Sequence, residues 1–210
     1  MSAEAALTPK RVGVFGGAFD PPHNAHVALA KAALEQFALD TLYIIPTGQA
    51  WHKARTLSAP AHRLAMAQLA FEGVPKAVVD DRELKRTGPT FTIDTLQALQ
   101  TENPQSQLYL FIGADQFVDF RHWHKWQQIF ELAIICIADR AQSTLAQAQF
   151  DAYAPHNHRF FTLKLPLMTV SATQVRQLMA SSAGDALEAA KLVSEPVARY
   201  ISLHRLYGPG

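Results

Sequence analysis

The chain has 210 residues, of which 49% are hydrophobic and 18% charged, and its formal net charge is +1. These proportions are typical of a globular protein, and the near-neutral balance provides no general attraction to nucleic acid or to an anionic membrane. An anionic ligand must therefore be held by local groups. We find neither a signal peptide nor an apolar stretch of membrane-spanning length, so the sequence predicts a cytoplasmic protein. Cys136, the single cysteine, lies in an apolar run and is expected to be a small buried hydrophobic residue.

Strand-like runs alternate with segments of helical period along the chain. The alternation predicts an α/β fold: a Rossmann-like parallel sheet with helices on both faces and a helical C-terminal tail. We expect a single domain over residues 11–208, preceded by an N-terminal extension over residues 1–10. The predicted strands cover residues 11–15, 42–45, 77–80, 108–112, 132–138 and 160–165, the predicted helices cover 25–37, 58–73 and 92–100, and two or three short helices follow.

The loop between the first strand and the first helix is rich in residues suited to binding an anion. Its glycines, Gly16 and Gly17, let the backbone approach a ligand, and the carboxyl edge of a parallel sheet is where ligands bind. His23 and His26 are three residues apart, so both side chains can face one side of the opening helical turn beside its N-terminus. We favour a phosphate site over the alternative of a tight turn with two surface histidines.

Two well-known phosphate loops do not fit this segment. The chain contains no Gly-Lys-Ser/Thr triplet to close a P-loop, and the first loop lacks the Gly-x-Gly-x-x-Gly pattern of dinucleotide-binding proteins. An NAD-dependent dehydrogenase is therefore a poor match.

A second candidate phosphate site lies near the end of the chain. Ser171 is placed to cap a helix, Thr173 falls in its first turn, and Arg176 shares the face of Thr173. Two hydroxyls, helix amides and a guanidinium can together bind a phosphate chain. Alone, the pattern also fits an ordinary capped helix with one exposed arginine.

The two motifs together resemble those of the nucleotidyltransferase superfamily, and within it the nicotinate-nucleotide adenylyltransferases. The narrower resemblance rests on Trp51-His52-Lys53, on residues 90–96, on Gly113-Ala114-Asp115 with the tryptophans that follow, and on residues 196–208. It extends over residues 11–208, nearly the whole chain.

The resemblance implies transfer of AMP from ATP, with its Mg²⁺, to nicotinate mononucleotide, giving nicotinate adenine dinucleotide and pyrophosphate. It assigns His23, His26, Lys53 and Arg176 to catalysis and implies no metal bound by the protein itself. ATP would contact these two histidines and this arginine, together with Gly16, Gly17, Phe19, Ser171 and Thr173. Lys53, with His52, would offset the charge repulsion between the two substrates.

For the mononucleotide, the resemblance implies that Trp123 stacks on the pyridine ring and that Thr92 and its neighbours contact the carboxylate. Asp115 would order a ribose or the mononucleotide, whereas Asp20 either lies near the phosphates or braces its own turn. Trp126 is expected in the core. The histidines of two further pairs, His122 with His124 and His156 with His158, are expected to be solvated loop residues.

One departure from the family pattern and three alternatives remain open. Ala25 stands where the family usually has glycine, and its methyl group predicts a modest loss of ATP affinity. The alternatives are a pantetheine-phosphate adenylyltransferase, a preference for nicotinamide mononucleotide, and a nucleotide-binding sensor without turnover. Small-molecule substrates are expected rather than nucleic acid or a membrane as partners.

Overall fold

The computed structural model describes residues 8–49, 56–138, 159–165, 168–181 and 183–208. Within these ranges, six parallel strands form one sheet in the order β3-β2-β1-β4-β5-β6. This confirms the predicted Rossmann-like fold, because the order reverses between β1 and β4 as it does in doubly wound sheets. The strands are β1 (Arg11–Gly17), β2 (Thr41–Pro46), β3 (Ala77–Val79), β4 (Gln107–Gly113), β5 (Ala133–Ala138) and β6 (Phe160–Leu163).

The helices connect the strands and make up the C-terminal tail. None of the helices in the described ranges has both the length and the apolar character needed to cross a bilayer. They are α1 (Asn24–Gln36), α2 (Pro60–Phe71), α3 (Arg82–Lys85), α4 (Thr92–Glu102), α5 (Ala114–Val118), α6 (Trp126–Leu132), α7 (Ala172–Ala180), α8 (Ala183–Leu192) and α9 (Glu195–Leu203), with a 3-10 turn at Phe120–His122.

The boundaries differ from the predicted ones in ways that local chemistry explains. Helix α2 begins at Pro60 and not at Ser58, because the fixed φ of proline suits the first helical position. Helices α3, α5 and α6 were not predicted, since four to seven residues are too few to establish a helical period.

Both faces of the sheet are covered by helices, and β4 shows the division. Tyr109 and Phe111 face one hydrophobic cluster together with α1, α2 and the C-terminal helices. Leu108, Leu110 and Ile112 face the other cluster with α4 and α6. Full burial of such side chains contributes about 1.5–3 kcal/mol each. Cys136 is fully buried as predicted, and burial raises the pKa of its thiol.

Candidate active site

A cleft of about 840 Å³ opens at the carboxyl edge of the sheet, where the strand order reverses between β1 and β4. The cleft brings together residues from both sequence motifs. His52 and Lys53 lie outside the described residues. The sequence-predicted site residues that line the cleft are Gly16, Gly17, Phe19, Asp20, His23, His26, Thr92, Asp115, Trp123, Ser171, Thr173 and Arg176.

The two glycines of the first loop have different roles. A Cβ atom added at Gly16 would meet nothing within 4 Å, so the backbone there is open to the cleft. A Cβ atom added at Gly17 would come within 3.1 Å of the ring of Phe19. Gly16 therefore allows a ligand to approach the backbone, whereas Gly17 allows Phe19 to pack beneath the loop.

The two histidines form a stacked pair at the N-terminus of α1. Their ring centroids are 3.7 Å apart, with an angle of 22° between the ring planes, and His23 is the N-cap residue. The backbone N–H of His23 donates to Nδ1 of His26 at 3.1 Å. Because Nδ1 accepts, the proton of the neutral His26 ring is on Nε2. The ring of Phe19, 1% exposed, supports His26 at a centroid distance of 5.2 Å.

Helix α7 contributes the second motif, with the capping that the sequence predicts. The Ser171 hydroxyl accepts a hydrogen bond from the Gln174 N–H at 3.2 Å. Arg176 donates through Nη2 to the Thr173 hydroxyl at 3.1 Å and through Nη1 to the Asp20 carbonyl at 2.7 Å. The last contact fastens α7 to the first loop across 156 positions of sequence.

Asp20 is buried within its loop and bonded to other parts of the chain. Its carboxylate accepts hydrogen bonds from the Tyr207 hydroxyl at 2.6 Å and from the Ser58 N–H at 3.1 Å. Only 1% of the residue is exposed. Of the two roles considered from sequence, these contacts favour bracing of the turn.

Thr92, which also lines the cleft, opens α4, whose N-terminus has no side-chain cap. Trp123 is half-buried, with its ring 5.3 Å from that of Phe120, and it lines the cleft. Trp126 is also half-buried; it packs edge-on against Phe130 and so lies against the core, near its expected place, without being enclosed by it. Asp115 is exposed in the first turn of α5, directly after β4.

Sequence analysis missed a buried polar network that includes two residues of the cleft lining, Glu83 and Thr95. The Thr95 hydroxyl donates to the Glu83 carboxylate at 2.8 Å and accepts from Arg86 at 2.8 Å. Burial raises the pKa of Glu83, although Thr95 and the charge of Arg86 partly oppose the rise. Glu83 lies on the four-residue α3, so no periodicity marks it as inward-facing.

The histidines on either side of Trp123 are exposed, as expected. His124 lies in a turn, and it also lines the cleft, with its ring 4.4 Å from that of Phe91. A single residue in an irregular segment has no pattern that predicts such a contact. His156 and His158 lie outside the described residues. Across the parts of the chain that are described, no three His, Cys, Asp or Glu side chains are grouped to hold a metal ion.

Several known proteins are similar to this chain in sequence. A family model described as cytidylyltransferase-like matches residues 14–178. A protein of Albidiferax ferrireducens is 54% identical, with 94% of this chain and 98% of that protein aligned. A protein of Methylibium petroleiphilum is 36% identical, with 97% and 95% aligned. Both carry the name "probable nicotinate-nucleotide adenylyltransferase".

Solved structures with the same fold include nicotinic acid mononucleotide adenylyltransferase of Plasmodium falciparum, complexed with APC or with NaAD. The two complexes superpose with TM-scores of 0.76 and 0.77 and cover 94% of this chain and 97% of theirs. At 17% sequence identity the likeness demonstrates a shared fold.

Proposed function

This chain belongs to the nicotinate-nucleotide adenylyltransferase family, and on that premise we propose that its cleft transfers AMP from ATP to nicotinate mononucleotide. The products are nicotinate adenine dinucleotide and pyrophosphate. ATP enters with its Mg²⁺ as the substrate complex. In this proposal both reactants bind in the one cleft, with the phosphate of the mononucleotide against the α-phosphate of ATP.

One observation carries the proposal: Arg176 donates to the Asp20 carbonyl at 2.7 Å and so fixes α7 beside the histidine loop. Three types of cationic or N–H donor then surround one space, namely the histidine pair, the guanidinium and the N-termini of α1 and α7. A triphosphate is the substrate group that uses all of them, because each bound oxygen carries negative charge.

The reaction requires positioning and charge neutralisation rather than a protein nucleophile. An oxygen of the mononucleotide phosphate attacks the α-phosphorus of ATP. The bond that breaks joins this phosphorus to the oxygen bridging the α- and β-phosphates. The bonding electrons leave with pyrophosphate, so negative charge grows at the β-phosphate. His23 and His26 stabilise the α- and β-phosphates, while Ser171, Thr173 and Arg176 hold the β- and γ-phosphates. Removing one such donor typically costs about 3 kcal/mol of transition-state stabilisation.

The acceptor site favours a carboxylate over an amide. The uncapped N-terminus of α4 lines the cleft at Thr92, and a helix N-terminus stabilises negative charge. Trp123 supplies an aromatic surface for the pyridine ring. Asp115, in the first turn of α5 directly after β4, lines the cleft and would accept hydrogen bonds from ribose hydroxyls. The carboxylate form of the mononucleotide is therefore the preferred acceptor.

The experiment is pyrophosphate release by the purified protein with Mg²⁺-ATP and one of three acceptors: nicotinate mononucleotide, nicotinamide mononucleotide or phosphopantetheine. The test variant is His23→Ala. The matched control is His122→Ala, which removes an exposed imidazole outside the described lining of the cleft.

We expect turnover mainly with nicotinate mononucleotide, a loss of about 100-fold or more in His23→Ala, and little change in His122→Ala. Preferred turnover of either other acceptor would overturn the substrate assignment. ATP binding without turnover of any acceptor would favour a nucleotide sensor.

A further inference from the structure

The buried residue Asp20 joins the phosphate-binding loop to three other segments of the chain. Its carboxylate accepts from Tyr207 after α9 and from the Ser58 N–H before α2, while its backbone carbonyl accepts from Arg176 on α7. The loop that carries the histidine pair is thus held in place by distant parts of the sequence.

Arg63 fastens the same loop from the side of α2. It is 2% exposed and donates through Nη1 to the Ala18 carbonyl at 3.0 Å and through Nε to the Ser58 carbonyl at 3.1 Å. Arg63 therefore joins the loop to the segment before α2, and the Tyr207 hydroxyl adds a contact from the segment after α9.

Tyr207 does not belong to the described lining of the cleft, so it acts on the site through Asp20. Its hydroxyl also lies 3.9 Å from the sulfur of Met66. Burial and the hydrogen bond to Asp20 raise the pKa of Tyr207, so the phenol keeps its proton and remains a donor throughout the physiological range.

The hydrogen bonds to Asp20 matter because this carboxylate carries negative charge next to the proposed triphosphate site. A carboxylate beside a triphosphate repels it, and this repulsion is smallest when both carboxylate oxygens are hydrogen-bonded and fixed. The same residue orients the guanidinium of Arg176 through its carbonyl. Loss of the phenol would leave one buried carboxylate oxygen with a missing donor and release the constraint on the carbonyl.

We propose that Tyr207 is a positioning residue for the triphosphate half of the site, acting through Asp20 on Arg176. This role of Tyr207 rests on the proposed function only for the identity of the nucleotide, which is ATP. The mononucleotide half, built from α4 and from the segment around Trp123, has no contact with Tyr207 among the described hydrogen bonds and is expected to be unaffected.

The test is Tyr207→Phe, with Tyr200→Phe as the matched control. Tyr200 lies in the same C-terminal region, and its hydroxyl pairs with Nδ1 of His62 on α2 at 3.0 Å, outside the described lining of the cleft. ATP affinity is measured by calorimetry without acceptor, well below the Tm of each variant, and the KM of each substrate is then measured by steady-state kinetics.

We expect Tyr207→Phe to weaken ATP binding about tenfold, as for loss of a hydrogen bond to a charged group. The KM for nicotinate mononucleotide should change less than about twofold, and Tyr200→Phe should alter neither value. In an Arg176→Ala background, Tyr207→Phe should weaken ATP binding by less than about twofold further, because the two residues act along one path.

ATP affinity unchanged in Tyr207→Phe would overturn the proposal. So would an equal loss in Tyr200→Phe, equal weakening of both substrates, or full additivity with Arg176→Ala, since each points to general destabilisation. Calorimetry with ATP needs no turnover. A wild-type protein that binds ATP but forms no dinucleotide would therefore refute the proposed function and leave this test intact.

Discussion

Gly48 lies where the loop after β2 passes against α3, and substitution by alanine tests how the acceptor end of the cleft is built. A Cβ atom there would overlap the backbone carbonyl of Glu83 and come within 2.8 Å of Cγ2 of Thr90. Real Cβ atoms essentially never approach other atoms below 3.0 Å, and a backbone carbonyl cannot rotate away as a side chain can. The loop and α3 must therefore separate in Gly48→Ala.

Overpacking of this kind costs about 1–3 kcal/mol. For a chain of this length, each kcal/mol corresponds to about 2–4 °C in Tm, so a cost of about 2 kcal/mol lowers Tm by about 4–8 °C. Thr47, Glu83 and Thr90 all line the cleft, so their displacement also misaligns the acceptor. Displacement by about 1 Å can reduce kcat/KM by about 100-fold.

The assays are thermal unfolding and initial rates with varied nicotinate mononucleotide. Gly73→Ala is the matched control, because a Cβ atom at Gly73 meets nothing within 4 Å. We expect that control to keep its activity and to gain about 0.4–1 kcal/mol through a less flexible unfolded chain. A Gly48→Ala protein with wild-type Tm and wild-type kcat/KM would refute the packing argument.

Three further outcomes are expected. Trp123→Ala should raise the KM for nicotinate mononucleotide about fivefold and leave the KM for ATP unchanged, because stacking on the pyridine ring contributes about 1 kcal/mol. Initial-rate assays that show equal effects on both KM values would contradict this. Burial raises the pKa of Glu83 above its ordinary value of 4.5, so the native state binds the proton more tightly and wild-type stability falls as pH rises between the two values. The free energy of unfolding of Glu83→Gln, measured in urea and taken relative to wild type, should therefore be higher at pH 7 than at pH 4. A difference between variant and wild type that does not change with pH would argue against a raised pKa of this carboxyl. Cys136 is fully buried and the pKa of its thiol is raised, so the native protein should react with a thiol reagent far more slowly than the unfolded protein. Rapid stoichiometric labelling of the native protein would contradict the burial of Cys136.

Residues that act within one local element were predictable from sequence. Ser171 is the N-cap and Arg176 shares the face of Thr173, because capping and helical spacing depend only on near neighbours. The histidine pair was predictable for the same reason. The position of the cleft followed from the alternation of strands and helices, since that alternation fixes which edge of the sheet holds the loops.

Contacts between distant segments were not predictable in this way. No local pattern connects Asp20 with Tyr207, which lies 187 positions later. Glu83 and the position of His124 in the cleft lining were also not predicted, because one lies on a single helical turn and the other in an irregular segment. Such residues become visible only when tertiary packing has placed them beside the cleft.

The sequence separation of these contacts has a consequence for biosynthesis. The first loop is translated early, but Arg176 and Tyr207, which donate hydrogen bonds to Asp20 in that loop, follow 156 and 187 positions later. Contacts of such long range form late in folding, because the intervening chain must be ordered before they can close. A nascent or prematurely terminated chain therefore carries both histidines before the triphosphate site is complete, and tight ATP binding is expected only once the segment after α9 has been translated.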